Sequence, residues 1–285
     1  MSTKLGFLHP GEMGISLAVA ALQNLPEVFW CSEGRSTATR KRAEQYGLTE
    51  ISSLAEFCQT SDIIIGVCPP HAAHEQATAL VAQKFRGTYV EANAIAPLKV
   101  QTIAEELAAA GIHCIDGGIV GLPAWQENST WLYLSGSDTE PVVQCFTRGL
   151  LQTKVLGTDI GQASALKMCF AAWNKGNTAL LATILGAAES LGVRAALEQQ
   201  WDIFNPGFTQ QTHKRISDTA RKAWRFAGEM QEIAATLQQS GMPPDFFEGA
   251  AEIYRRESAF KDINEAPALA EILEALCSNT PNRPQ

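Results

Sequence analysis

Apolar and polar positions in the first half of the chain alternate between two rhythms. Short, mainly apolar runs at residues 4–8, 27–31 and 62–67 are separated by longer stretches with apolar residues at helical spacing, such as 15–25 and 71–83. Runs of this length, bounded by glycine, proline and polar clusters, predict parallel strands covered on both faces, and the stretches between them predict helices. Further strands are predicted at 49–51, 88–91, 112–115, 130–134 and 153–156. After about residue 157 the strand rhythm stops. Residues 160–191 hold no proline and are rich in Ala, Leu, Met and Lys, which predicts one long helix. Everything beyond reads as helical, punctuated at Asn205-Pro206-Gly207, Gly241-Met242-Pro243-Pro244 and Ala266-Pro267. The pattern therefore predicts an α/β doubly wound parallel sheet domain over 1–157 and an all-α domain over 158–277, joined by the long helix. A flexible polar tail is expected at 278–285.

The first strand runs directly into His9-Pro10-Gly11-Glu12-Met13-Gly14 and then a helix. A tight strand-to-helix turn aims unpaired N–H groups and the positive end of the helix dipole at one point, where a phosphate would sit. With the second strand following, this is the setting of a Rossmann dinucleotide loop, G-x-G-x-x-G. Gly11 and Gly14 fill the second and third glycine places, but His9 stands at the first, and Pro10 fixes φ beside it. The end of the second strand reports the coenzyme: an acidic residue grips the ribose of NAD, while hydroxyls and arginine accommodate the extra phosphate of NADP. Ser32, Arg35 and Ser36 lie there, followed by Arg40, Lys41 and Arg42, so NADP is expected. Glu33 dissents and keeps NAD open. Cys68-Pro69-Pro70 and Asn93-Ala94 end later strands at the same sheet edge and are candidates for the nicotinamide side.

Composition narrows the class. At 46% hydrophobic, 18% charged and formal charge −8, the chain has an ordinary globular composition, and the acidic balance argues against nucleic acid or an anionic membrane surface as partner. Seven scattered cysteines, none in C-x-x-C spacing, suggest neither a disulfide framework nor a zinc site. His71 and His74 have no third ligand at a suggestive spacing. With no leader-like segment at the start and no apolar stretch approaching ~20 residues, a cytoplasmic protein is expected.

Lys167, early in the long helix and flanked by Leu166, Met168, Cys169 and Phe170, is the candidate acid/base. Desolvation there would lower its pKa toward working pH and let it exchange a proton with a substrate oxygen. A snorkelling surface lysine is the alternative reading.

Four segments together resemble the β-hydroxyacid dehydrogenase superfamily, which includes 3-hydroxyisobutyrate dehydrogenase, 6-phosphogluconate dehydrogenase and the imine reductases. Residues 5–14 resemble its G-L-G-x-M-G loop, and Asn93-Ala94-Ile95-Ala96-Pro97 resembles its S-T-x-S-P segment. Asp116-Gly117-Gly118-Ile119-Val120-Gly121 resembles its substrate loop D-A-P-V-S-G-G, and residues 161–167 resemble the segment carrying its acid/base lysine. More narrowly, residues 9–14, 32–36, 222–225 and 229–234 resemble a poorly characterised branch with its own C-terminal helical domain. The resemblance implies a lysine-dependent, NAD(P)-linked interconversion of hydroxyl and carbonyl in a β-hydroxyacid-like substrate.

Two departures qualify that expectation. The family's asparagine one turn after the lysine is Ala171 here, and Asn174, seven residues on, returns to within ~20° of the lysine's direction about 10 Å further along an ideal helix. Asn174 is therefore the candidate for orienting substrate, with Lys175 most simply a surface residue. The substrate loop carries Val120 in place of serine and runs into Leu122, Pro123, Ala124 and Trp125, pointing to a larger or less polar substrate. Gly117, Gly118, Ile119 and Trp125 are the candidate substrate contacts, with Trp125 and Trp173 open to stacking or to core and interface roles. Two alternatives stand beside the dehydrogenase: imine-reductase-like C=N reduction, against which the retained lysine speaks, and a non-catalytic dinucleotide-binding protein, for which His9 and Ala171 speak. A small-molecule substrate and a homodimer are the expected partners, with no metal.

Overall fold

The computed structural model describes residues 2–261, 263 and 265–278, and the chain divides into two compact units, Met1–Met168 and Cys169–Gln285. The expected tail at 279–285 lies outside the described residues, and Ser278 ends a helix.

The first unit holds one eight-stranded sheet in the order β3-β2-β1-β4-β5-β6-β7-β8. Its strands are β1 (Leu5–Phe7), β2 (Val28–Cys31), β3 (Thr49–Ile51), β4 (Ile63–Gly66), β5 (Thr88–Glu91), β6 (His113–Gly121), β7 (Thr130–Ser135) and β8 (Leu151–Gly157). All neighbours pair parallel except β6 and β7. The helices between them are α1 (Glu12–Ala21), α2 (Thr37–Gln45), α3 (Leu54–Thr60), α4 (Ala73–Ala82), α5 (Pro97–Ala109) and α6 (Glu140–Gln144). This is a Rossmann-type doubly wound sheet.

The continuous apolar run in β4 follows from burial on both sides. Ile63 and Ile65 enter a core with Leu5, Phe7, Val28, Trp30, Leu17 and Ala18. Ile64, pointing the other way, packs with Phe29, Phe57, Leu80 and Tyr89. Each such side chain contributes about 1.5–3 kcal/mol on leaving water. Because the strand order reverses at β1, the crevice between the carboxyl ends of β1 and β4 is the switch point where doubly wound sheets bind ligands.

Two expectations are corrected. Asp116-Gly117-Gly118 is not a loop after a short strand: β6 runs on to Gly121, with Gly117 opposite Leu134 and Gly118 opposite Tyr133 in the antiparallel ladder. A glycine pair signals a turn in sequence, but here Gly118 lets another backbone approach the strand. Residues 160–191 are also not one regular helix. They form α7 (Gln162–Ala171), a π-helical segment (Ala172–Gly176) and α8 (Asn177–Ser190). The 100°-per-residue arithmetic that aligns Asn174 with Lys167 does not carry through a π turn.

The second unit is helical, with α8 followed by α9 (Arg194–Phe204), α10 (Phe208–Ala220), α11 (Ala223–Gln239), α12 (Asp245–Arg256) and α13 (Leu269–Ser278). Leu181, Leu185, Ile216, Ile272, Leu273 and Leu276 form one of its cores. Among the described residues no helix is long and apolar enough to cross a membrane.

Candidate active site

Helix α1 opens at Gly11, an N-cap in extended conformation that brings no side chain to the helix's first N–H groups. Nothing in the cap therefore competes with an anion for those donors. A Cβ placed on Gly14 would stand 2.6 Å from the His9 carbonyl oxygen, so only glycine allows the helix to pass this close to the loop. Glu12 is exposed, while Met13 packs against the core beneath. Pro10 is buried and its carbonyl accepts from Arg42 Nη1 at 3.4 Å.

His9 occupies the first glycine position without closing the loop. Its Cδ2 and Nε2 lie 3.3 and 3.5 Å from where a Gly11 Cβ would be. Arg35 Nη1 lies 3.2 Å from His9 Nδ1. A guanidinium can only donate, so Nδ1 accepts and the neutral ring carries its proton on Nε2. Burial, with Arg35 and Arg42 nearby, holds the imidazole pKa below its usual value.

The β2 end is shaped by the turn Ser32-Glu33-Gly34-Arg35, closed by Arg35 N–H to Ser32 O at 3.1 Å with Gly34 at φ +68°. Positive φ at the third position of a turn is glycine's place. Ser32 is buried, and Ser36 caps α2 by accepting from Thr39 N at 3.2 Å. Glu33, the dissenting acid, accepts from Leu54 N at 2.5 Å at the start of α3. Arg40 pairs with Glu50. Arg35 Nε is buried and, among the described residues, without a hydrogen-bond partner. An orphaned guanidinium donor and a glycine-cleared helix start fit an anionic dinucleotide.

At the ends of β4 and β5 a buried network joins the two candidate nicotinamide segments. Tyr89 donates to Glu91 Oε2 at 3.1 Å, Asn93 N donates to Glu91 Oε1 at 3.0 Å, and Cys68 N donates to Asn93 Oδ1. Asn93 Nδ2 is left as a buried donor with no partner among the described residues. Burial raises the Glu91 carboxyl to about 7 against the pull of these donors, and it pushes the Cys68 thiol up to about 12. Glu91 is not among the residues that the sequence pattern singles out, although an acid closing an apolar strand is its signal. Pro69 is exposed, and Pro70 opens the short 3-10 turn Pro70–Ala72. Ala94 is half-buried just beyond Asn93.

Asp116 is the second acid of this kind. Its buried carboxylate accepts from Ser135 Oγ at 3.0 Å, Gly161 N at 2.9 Å, Ser164 N at 3.0 Å and Ser164 Oγ at 2.6 Å. These bonds fasten the start of α7 to β6. A Cβ on Gly118 would meet Ala163 O at 2.4 Å and Lys167 Cβ at 3.4 Å, so the bare glycine strand admits the helix and the half-buried Lys167 stands against it. Structure thus brings Lys167 and Gly118 together, with Gly117 next to Gly118 in the strand.

One residue is placed differently from expectation. Ile119 turns its side chain into the core with Ile115, Leu132 and Leu134, so it offers a substrate no side-chain contact. Trp125 stacks on Tyr46 with ring centroids 5.1 Å apart, and the two border a cleft of about 540 Å³ with Glu12, Lys41 and Arg42. His74 pairs with Glu106 at 2.9 Å, and no group of three or more metal-ligating side chains occurs among the described residues.

Within the second unit, Asn174 Oδ1 accepts from Arg215 Nη2 at 2.8 Å, which orients the amide and leaves its Nδ2 side for another partner. Trp173 is exposed and meets Phe170 edge-on at 5.6 Å. Lys175 is not a surface residue. Its ammonium pairs with Glu229 and lies 4.0 Å from the centre of the Phe226 ring, and burial lowers its pKa.

Sheet order and the glycine-cleared helix start are those of a dinucleotide-binding domain. Residues 4–146, half of the chain, match the NAD binding domain of 6-phosphogluconate dehydrogenase, and the chain belongs to that family, within the β-hydroxyacid dehydrogenase superfamily. Residues 188–256 match a domain of unknown function, DUF1932. The "Uncharacterized 28.5 kDa protein in 7S RNA 5'region" of Methanothermus fervidus is 26% identical over 194 residues, covering 67% of this chain and 72% of that protein. A conserved protein of unknown function, described as structurally similar to 3-hydroxyacid dehydrogenases, is 26% identical with a TM-score of 0.66 over 90% of this chain and 98% of its own. The Mycobacterium tuberculosis 3-hydroxyisobutyrate dehydrogenase with L-serine has a TM-score of 0.69 at 16% identity, covering 97% of this chain and 99% of that one. An imine reductase from Myxococcus stipitatus in complex with NADP+ has a TM-score of 0.56 at 18% identity, covering 96% and 99%. The last two are likenesses of fold. The family and the solved structures named for an activity are oxidoreductases.

Proposed function

We propose that the protein is an NADP-preferring dehydrogenase or reductase that interconverts a hydroxyl and a carbonyl in a β-hydroxyacid-like substrate, with Lys167 as acid/base. The observation that carries this reading is the fastening of α7 by Asp116, which sets Lys167 against the bare strand at Gly118. The N–H groups of α1 at Glu12, Met13 and Gly14 would hold the pyrophosphate; Gly11, whose own N–H donates to His9 O at 2.8 Å, would allow its close approach, with His9 and Pro10 shaping it. Ser32, Arg35 and Ser36 would receive the adenosine phosphate. Asn93 Nδ2, Ala94 and residues 68–70 would line the nicotinamide side. When bound, the coenzyme supplies or accepts a hydride. Lys167 gives a proton to the carbonyl oxygen during reduction and takes it back during oxidation.

The retained lysine favours a carbonyl over the C=N bond of an imine. Replacement of Lys167 by alanine tests the assignment: NADPH binding persists while turnover of the best carbonyl substrate falls by about 10²–10⁴. Undiminished turnover would reject it.

A further inference from the structure

His9 is the departure from the glycine pattern that the dinucleotide reading does not by itself explain. A residue standing in place of the first glycine need not touch the ligand, yet this one is tied to the turn that follows β2. Arg35 comes from the turn after β2 and reaches back to the imidazole that follows the neighbouring strand β1.

We infer that His9 is the specificity-determining residue of the coenzyme site, holding the Arg35 guanidinium in the orientation that receives the 2′-phosphate of NADP. The geometry gives the reason. Nη1 is committed to Nδ1 of His9, which leaves the opposite edge, Nε–H and Nη2–H, for a ligand. That edge is the side-on fork with which a guanidinium takes two oxygens of one phosphate. Nε is the buried, unpartnered donor of this group among the described residues. The neutral imidazole suits the task, because a protonated ring would repel the guanidinium and offer Nδ1 as a second donor. Glu33, which would select NAD if it faced the ribose, is held at the start of α3 by Leu54 N. A glycine at position 9 would complete the G-x-G-x-x-G pattern and leave Arg35 untethered.

This inference rests on the dinucleotide reading, and the test separates the two. Binding of NADP+, NAD+ and adenosine 2′,5′-bisphosphate is measured by calorimetry for the wild-type protein and for His9→Gly, His9→Asn and Arg35→Ala. Asparagine places an amide oxygen near the position of Nδ1 and keeps the tether. The expected result is a fall of about tenfold or more in the NADP+ to NAD+ affinity ratio for His9→Gly and for Arg35→Ala, with the bisphosphate losing affinity in parallel. His9→Asn retains the ratio. The double variant His9→Gly/Arg35→Ala loses no more than Arg35→Ala alone, since both remove one interaction. An unchanged ratio in His9→Gly, or additive losses in the double variant, overturns the inference and leaves the coenzyme site standing. Wild-type protein that binds neither coenzyme overturns both.

Discussion

Ser164 donates its hydroxyl to the buried carboxylate of Asp116 at 2.6 Å, and the backbone N–H of the same serine donates to the other carboxylate oxygen at 3.0 Å. One acid on β6 therefore fixes the start of the helix that carries Lys167.

Asp116→Ala leaves several buried donors without an acceptor. It should cost about 3 kcal/mol or more of stability, read by denaturant unfolding. At temperatures where the variant stays folded, turnover falls more than coenzyme affinity, because the loosened element bears the acid/base and not the phosphate loop. Gly118→Ala gives the same split for a different reason: its Cβ would meet Ala163 O at 2.4 Å and displace α7. Equal losses in coenzyme affinity and turnover would remove the distinction between the two elements.

The pH dependence of stability follows from two buried glutamates. Burial raises Glu91 to about 7 and Glu257 to about 8, both above the ordinary 4.5. A carboxyl whose folded pKa is raised stabilises the fold fully below the unfolded pKa, and that contribution is lost as pH rises through the folded value. The melting temperature should therefore decline between about pH 5 and pH 8. Glu257→Gln should flatten the upper part of that decline, which thermal melts across the range will show. A melting temperature that rises steadily over the same interval in both proteins would contradict the assignment.

Exposed apolar side chains in the helical unit motivate the proposal of a homodimer. Leu191, Val193, Ile203 and Phe204 are each at least half exposed, and α9 buries none of its residues within the chain. Surfaces of this kind are covered by partners in soluble proteins. Light scattering at micromolar concentration should give twice the chain mass, and Phe204→Glu should shift the species toward the monomer. A wild-type monomer at that concentration would count against the proposal.

Much of the first unit is legible in the sequence because strand burial and helix capping leave local signals. The apolar run at β4, the Gly11 and Gly14 pair and the hydroxyl and basic residues after β2 all depend on neighbours within a few positions. Two features escape because they depend on distant parts of the chain. Gly117 and Gly118 read as a turn, but the bare Gly118 serves an approach by Ala163, 45 residues further on, and Gly117 faces Val90 and Ala92 of the neighbouring strand and its end. Glu91 and Asp116 read as unremarkable acids at strand ends, and their roles emerge only with Asn93, Tyr89, Ser135 and Ser164 in place. The π turn at residues 172–176 has no compositional marker, and Lys175 within it pairs with Glu229.

The central claim is most directly tested by thermal stabilisation with NADPH and with NADH at equal concentrations, since a ligand that binds only the folded state raises the melting temperature in proportion to ln(1 + [L]/Kd). A clear rise with NADPH that exceeds the rise with NADH is the predicted result. No shift with either, or a larger shift with NADH, would contradict it.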